Sequence, residues 1–277
     1  MIKQILVPQD GSTNAQSAVD YSLWLAGRFG AGITGLHVVD IVSLEGPFLH
    51  DLSGSLGFEP FLNFSAKMRE TLEARGRTIL SAFDLRCEGT SINHSTQLAY
   101  GVVAREICEK AQLADLVVIG RRGINEKFEY GLLGSTTESV IRKSPKPVLI
   151  VPPVFNEPKR PLLAFDGSPN SCKAMHSAAE WAKSLALDLA VVVVSQRDEE
   201  NALIADAQDY LGRYEIKASY SHIKDEPPIG IERFYKENGH DLIFMGASHH
   251  SKIVEMVLGS TTEHVMRNID GPLLLER

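Results

Sequence analysis

The sequence predicts an α/β protein built from two tandem units, each an open, twisted, five-stranded parallel sheet covered by helices. Three observations carry this. The hexapeptide Leu133-Gly134-Ser135-Thr136-Thr137-Glu138 returns unchanged as Leu258-Gly259-Ser260-Thr261-Thr262-Glu263. Its surroundings correspond too: Asp10-Gly11-Ser12 after Ile5-Leu6-Val7-Pro8 answers Asp166-Gly167-Ser168 after Pro161-Leu162-Leu163-Ala164, and residues 114–120 answer 240–246. Finally, short runs rich in Val, Ile and Leu alternate with longer segments of helical period, the pattern of β-α units that feed a parallel sheet.

Along the first unit, apolar runs predict strands near 4–8, 32–39, 86–95, 116–120 and 148–151. Residues 14–30 carry Ala18, Leu23, Trp24 and Phe29 at helical spacing, with Ser12 or Thr13 as the start signal. Further helices are expected at 64–82, 101–112 and 135–143, the last stopped by Pro145 and Pro147. Pro152, Pro153 and Pro158 then make a stiff linker, since three prolines in seven residues sustain neither a helix nor a central strand. The second unit repeats the order, with strands near 161–165, 189–194, 215–221, 242–246 and 273–275. The expected division is a first domain at 1–153, a linker at 154–159 and a shorter second domain at 160–277. Asp10 and Leu133 lie 123 positions apart, Asp166 and Leu258 only 92. The excess is expected as an insertion at about 40–76, where Gly46-Pro47 and Ser53-Gly54-Ser55 mark a loop, either a lid or a mobile segment.

A formal net charge of -7 argues against a nucleic-acid partner, which needs clustered Lys and Arg. The first strand pattern begins at Ile2, so no secretory signal is expected. The longest apolar run, at 189–194, is far short of the ~20 residues needed to span a bilayer. A soluble cytoplasmic protein without a membrane partner is the expectation. Cys87, Cys108 and Cys172 are odd in number and widely spaced, which suits buried free thiols better than a disulfide framework or a metal cluster.

Chemistry is expected where strands end and helices begin, because unpaired N–H groups and the helix dipole there favour an anion. Gly120, Gly123 and Gly134 let the main chain approach a polyphosphate, Ser135 and Thr136 add hydroxyls, and Arg121 and Arg122 add positive charge. Ser135 and Glu138 also have capping-box spacing, which any helix may use. The neighbouring His249 and His250 do not predict a metal, since adjacent residues rarely face one ion and no acidic or Cys cluster accompanies them. His94, His176 and His222 are scattered.

On these residues the chain resembles a tandem member of the universal stress protein family over essentially its whole length. The family's ATP-binding members carry an Asp after the first strand, matched by Asp10, and a Gly-x2-Gly-x9-Gly-Ser/Thr signature, matched by Gly120, Gly123, Gly134 and Ser135. The resemblance implies a Rossmann-like fold of the adenine nucleotide alpha-hydrolase-like type, with the two units paired through their last strands as an internal pseudo-dimer and a homodimer left open. It also implies a nucleotide site made of Pro8, Gln9, Asp10, Val38, Val39, Gly120, Arg121, Gly123, Gly134, Ser135 and Thr136, with ATP or AMP as ligand and Mg2+ as an optional companion. Ten residues rather than nine separate Gly123 from Gly134, so the loop is expected to bulge. A second site at Asp166, Gly246, Gly259, Ser260 and Thr261 is expected to be weaker, because His249 stands where the second glycine belongs. The implied role is nucleotide-dependent regulation of an unknown protein partner in the stress response. Two other readings stay open: weak ATP hydrolysis or phosphotransfer near Asp10 and Ser135, for which no positioned base is visible, and a scaffold that has lost its ligand.

Overall fold

The computed structural model describes residues 1–40, 61–124, 133–196, 201–247 and 258–277. The first repeat contributes β1 (Gln4–Pro8), α1 (Thr13–Phe29), β2 (Gly32–Asp40), α2 (Phe61–Cys87), β3 (His94–Gly101), α3 (Val103–Ala111), β4 (Leu116–Gly120), α4 (Ser135–Lys143) and β5 (Val148–Val151). The second contributes β6 (Pro161–Ala164), α5 (Pro169–Leu185), β7 (Leu189–Val194), α6 (Asn201–Gly212), β8 (Ala218–Ile223), α7 (Pro227–Glu237), β9 (Leu242–Gly246), α8 (Ser260–Asn268) and β10 (Leu273–Glu276).

Local chemistry sets the helix ends. Ser12 begins α1, its hydroxyl oxygen accepting from the Ala15 amide at 3.1 Å, and Gly30 closes it in the left-handed region at φ 63°. Ser168 begins α5 in the same way, accepting from the Ser171 amide at 3.2 Å, with Pro169 in the first turn.

The strands form one ten-stranded sheet in the order β3-β2-β1-β4-β5-β10-β9-β6-β7-β8. Within each repeat the pairing is parallel. At the centre β5 and β10 run antiparallel, with Leu149 opposite Leu274 and Val148 opposite Leu275. The expected internal pseudo-dimer is therefore realised through the last strand of each repeat. Every residue of these two strands is buried, so neither repeat leaves its final edge open. One face of the sheet packs against α1, α2, α5 and α6 through residues such as Leu25, Phe83, Trp181 and Leu211. The other packs against α3, α4, α7 and α8 through Ile107, Val140, Ile231 and Val265. Trp181 of the second repeat meets Phe29 of the first at a ring separation of 5.7 Å.

The linker region lies along α1. Phe155 packs edge-on against Tyr21 at 4.7 Å, and Glu157 accepts from Trp24 Nε1 and Arg28 at 3.1 and 3.0 Å.

Several elements depart from the sequence reading. The strand expected at 86–95 starts later: Phe83 and Cys87 carry the apolar face of α2 into the core, Arg86 pairs with Asp20 of α1, and β3 begins at His94. Gly101 ends β3 instead of starting a helix, and Gly76 lies inside α2. The excess length of the first repeat is thus partly helical, for α2 has 27 residues and α6 only 12. Its remainder, including Gly46-Pro47 and Ser53-Gly54-Ser55, falls outside the described residues. In the second repeat Glu215 sits at φ 58°, a turn conformation, and β8 starts later, at Ala218. The three thiols are free, but only Cys87 is fully buried.

Candidate functional site

The chain runs outward from β1 to β2 and β3, then returns to place β4 on the other side of β1. Such a reversal opens a crevice at the carboxyl ends of the two central strands. A cleft of about 240 Å³ occupies that place, between the ends of β1, β2 and β4 and the start of α4.

Asp10 holds its floor together. One carboxylate oxygen accepts from the Ser12 amide at 2.9 Å, which tightens the turn into α1, and the other accepts from the Ile124 amide at 2.8 Å. The loop after β4 is thereby clamped to the end of β1. Gly123 leaves room for this clamp: a Cβ there would stand 2.8 Å from the Asp10 oxygen. A Cβ at Gly120 would strike the first turn of α1, 2.6 Å from Asn14 Cβ, so β4 needs a glycine where it abuts that helix. Gln9, 7% exposed, is fixed by bonds from its amide nitrogen to the carbonyls of Pro8 and Ala15, and its own carbonyl accepts from His37 Nδ1 at 2.7 Å.

Across the cleft, α4 begins at Gly134, which has no side chain to cap the first turn. The Gly134 amide donates to the Arg121 carbonyl at 3.1 Å, and Thr137 Oγ1 donates to the Gly120 carbonyl at 2.9 Å. These bonds aim the start of α4, with Ser135 and Thr136, at the cleft. No side chain caps the helix start, and Glu138, the acidic residue of the first turn, pairs with Arg142 one turn onward. The cleft also has an apolar lining, made by Leu36 and Val38 of β2, Val103 and Ile107 of α3, and Ile119. That lining suits a flat apolar group and the helix start an anion held by helix N–H donors.

Pro8, Gln9, Asp10, Val38, Gly120, Gly123, Gly134, Ser135 and Thr136 all line this one cleft. Val39 and Arg121 do not. Val39 is buried beside Val38, but successive strand side chains point to opposite faces. Arg121 turns away to donate to the Gly271 carbonyl of the second repeat at 2.9 Å. Sequence reasoning missed Leu36, Val103, Ile107, His37 and Asp40. Leu36 was detectable as the alternate partner of Val38, and Val103 with Ile107 as one face of α3. The ten-residue spacer lies mostly outside the described residues.

In the second repeat Asp166 likewise accepts from the Ser168 amide at 3.0 Å, and a Cβ at Gly246 would lie 2.4 Å from the Ser171 nitrogen. Gly259 starts α8, followed by the exposed Ser260 and half-buried Thr261. One difference is visible. Thr262 Oγ1 is buried without a partner among the described residues, whereas its counterpart Thr137 bonds the end of β4. Ser248, His249 and His250 fall outside the described residues. Among the described residues no group of three or more His, Cys, Asp or Glu side chains could hold a metal ion, and no helix is long and apolar enough to cross a membrane.

Two doubly wound α/β units, joined edge to edge, with a glycine-marked crevice at the strand ends of the first, define a tandem α/β protein of the kind that places its site at the strand switch point. The sequence profile of the Universal stress protein family matches residues 1–152 and again 158–277, so the chain belongs to that family as a tandem member. It is similar over its entire length to Universal stress protein Slr1230 of Synechocystis sp., at 29% identity across 301 aligned positions and 100% of both chains. A half-length relative, Universal stress protein MJ0531 of Methanocaldococcus jannaschii, is 30% identical over 158 positions, covering 54% of this chain and 82% of its own. The crystal structure of a universal stress protein from Archaeoglobus fulgidus superposes with a TM-score of 0.78 at 22% identity, covering 99% of this chain and 98% of the other, a likeness of fold.

Proposed function

We propose that this protein binds an adenine nucleotide, ATP or AMP, in the first-repeat crevice and acts as a nucleotide-dependent regulator in a cytoplasmic stress response. One observation carries the proposal: apolar side chains and a helix N-terminus without a capping side chain line a single cleft. The residues present fit the group. Leu36, Val38 and Ile107 would hold the base, while the backbone at Gly134, Ser135 and Thr136 would hold the phosphates, where the helix dipole favours negative charge. Bound nucleotide supplies an anion that tethers the start of α4. Asp10 contributes the clamp to Ile124, so the loop after β4 and the ligand stabilise each other. That coupling is how occupancy would change a surface that a partner reads.

Regulation is favoured over hydrolysis by the state of Asp10. Both its oxygens accept backbone hydrogen bonds, so this carboxylate is engaged in holding the turn into α1 and the loop after β4. The test is calorimetric titration with AMP, and with ATP in the presence and absence of Mg2+, on the wild type and Gly123→Val. The wild type is expected to bind about one nucleotide per chain. The variant, whose branched side chain meets Asp10, is expected to lose measurable binding with its circular dichroism unchanged. Wild-type affinity in a folded Gly123→Val protein would overturn the site.

A further inference from the structure

Between the repeats lies a second cavity of about 690 Å³, bounded by the first turns of α1, the segment after β5, the end of α7 and the segment joining α8 to β10. We infer that this seam is a binding site for a phosphate-type oxyanion, separate from the crevice of the first repeat and independent of the reading given to that crevice. The central observation is Arg121. Its Nη2 donates to the Gly271 carbonyl at 2.9 Å, while its Nε is buried and has no acceptor among the described residues. A guanidinium in that position is a desolvated charge with an incomplete set of partners, which a bound anion would complete. Burial accordingly pushes its pKa down from the usual arginine value, with Asp270 opposing.

The surroundings point the same way. The chain as a whole carries a net charge of -7, yet the seam is lined by Arg121, Arg122, Lys236 and Arg267 against only Asp241 and Asp270. Asp241 is occupied, since its carboxylate accepts from the Lys159 and Arg160 amides at 2.9 and 2.7 Å. Lys236 is answered by Glu232 at 2.7 Å. Arg121 and Arg267 bring guanidinium groups to the cavity wall, and their planar forks suit phosphate oxygens.

Two buried phenols add neutral donors. The Tyr21 hydroxyl oxygen accepts from the Asn156 amide at 3.3 Å, so its own hydrogen is left to donate. Tyr235 lies on the opposite wall. Burial pushes both phenols above their ordinary range, so they stay protonated. Gly271 makes the arrangement possible, because a Cβ there would stand 2.1 Å from the Tyr235 hydroxyl. The second repeat has Ala247 at the position of Arg121, so the pseudo-symmetry does not duplicate this cation.

The experiment is titration of the full chain with inorganic phosphate at constant ionic strength, followed by 31P line broadening and calorimetry, with chloride as the control anion. Arg121→Met and Arg267→Gln are each expected to weaken phosphate binding by about tenfold or more, the loss expected for one charge-assisted contact. Gly123→Val, whose side chain meets Asp10 in the first-repeat crevice, is expected to leave it unchanged. Arg267→Gln keeps the test decisive if Arg121→Met fails to fold, because Arg267 is exposed on the surface of α8. Loss of phosphate binding in Gly123→Val with retention in Arg267→Gln would assign the anion to the crevice and overturn the proposal. So would the absence of phosphate binding by the wild type, or equal binding of chloride.

Discussion

Asp10 and His240 illustrate how single side chains set the behaviour of their surroundings. Removing the Asp10 carboxylate frees the Ser12 and Ile124 amides together, and hydrogen bonds to a charged group are worth about 1.5–3 kcal/mol each. Asp10→Ala is expected to lower stability by roughly 1–3 kcal/mol, less than the sum because water replaces some of the lost bonds. It should also weaken nucleotide binding, and urea denaturation alongside calorimetry reads both. An Asp10→Ala protein with unchanged affinity would remove the clamp from the account of binding. His240 makes a pH prediction. Its Nδ1 donates to the Arg160 carbonyl at 3.1 Å and its Nε2 is buried without a partner among the described residues. Burial holds its pKa below the ordinary histidine value. The unfolded chain then binds this proton more readily than the folded one. Its contribution to stability is full above the unfolded pKa of about 6.5 and is lost as pH falls through that value toward the folded pKa. Denaturation midpoints measured from pH 7.5 to 5 should fall less steeply in His240→Phe than in the wild type; parallel slopes would show that this imidazole does not titrate on unfolding.

Among the elements, α2 depends on β2 having no side chain at one position. A Cβ at Gly35 would stand 2.8 Å from the Phe83 ring, which is itself 2% exposed. Gly35→Ala is therefore expected to push α2 off the sheet and cost about 1–3 kcal/mol by overpacking. In a Phe83→Leu background the same substitution should cost much less, and chemical denaturation of the four-member cycle gives the coupling directly. Additive effects would mean that α2 is not held by this contact. The elements also show where sequence patterns carry information. The central strands β1, β4, β6 and β9 were legible as unbroken apolar runs, since both their faces are buried. The misplaced strands, β3 and β8, are the two outermost of the sheet, where exposed and half-buried residues predominate and no apolar run marks the ends. The site divided along similar lines. Its glycines and Asp10 could be read because backbone geometry restricts them locally, whereas Ile107 and Val103 reach the cleft only through the packing of α3. Arg121 follows Gly120 in the motif, but its side chain takes its direction from a carbonyl 150 positions away.

At the scale of the whole molecule, the pairing of β5 with β10 has a consequence that neither repeat possesses alone. The two strands form the centre of the sheet, and Leu149, Ile150, Leu273 and Leu274 are each about 1% exposed. Cutting the chain between the repeats would uncover an apolar strand edge on each half, a template for pairing with whatever strand is available. Residues 1–153 and 160–277, produced separately, are accordingly expected to self-associate or precipitate. Produced together, they should assemble one to one. The co-assembled form should regain the 5.7 Å Phe29–Trp181 contact, giving tryptophan fluorescence like that of the intact chain. Analytical ultracentrifugation of the separate and mixed halves reads the outcome. A stable, soluble monomer of either half would mean that the final strand does not need its antiparallel neighbour, and the tandem arrangement would then have to be explained by the seam rather than by the sheet. The reverse result ties the two together, because the pairing that covers both edges also brings Arg121 to within hydrogen-bonding reach of Gly271. The halves that close the sheet are then the same halves that build the anion site.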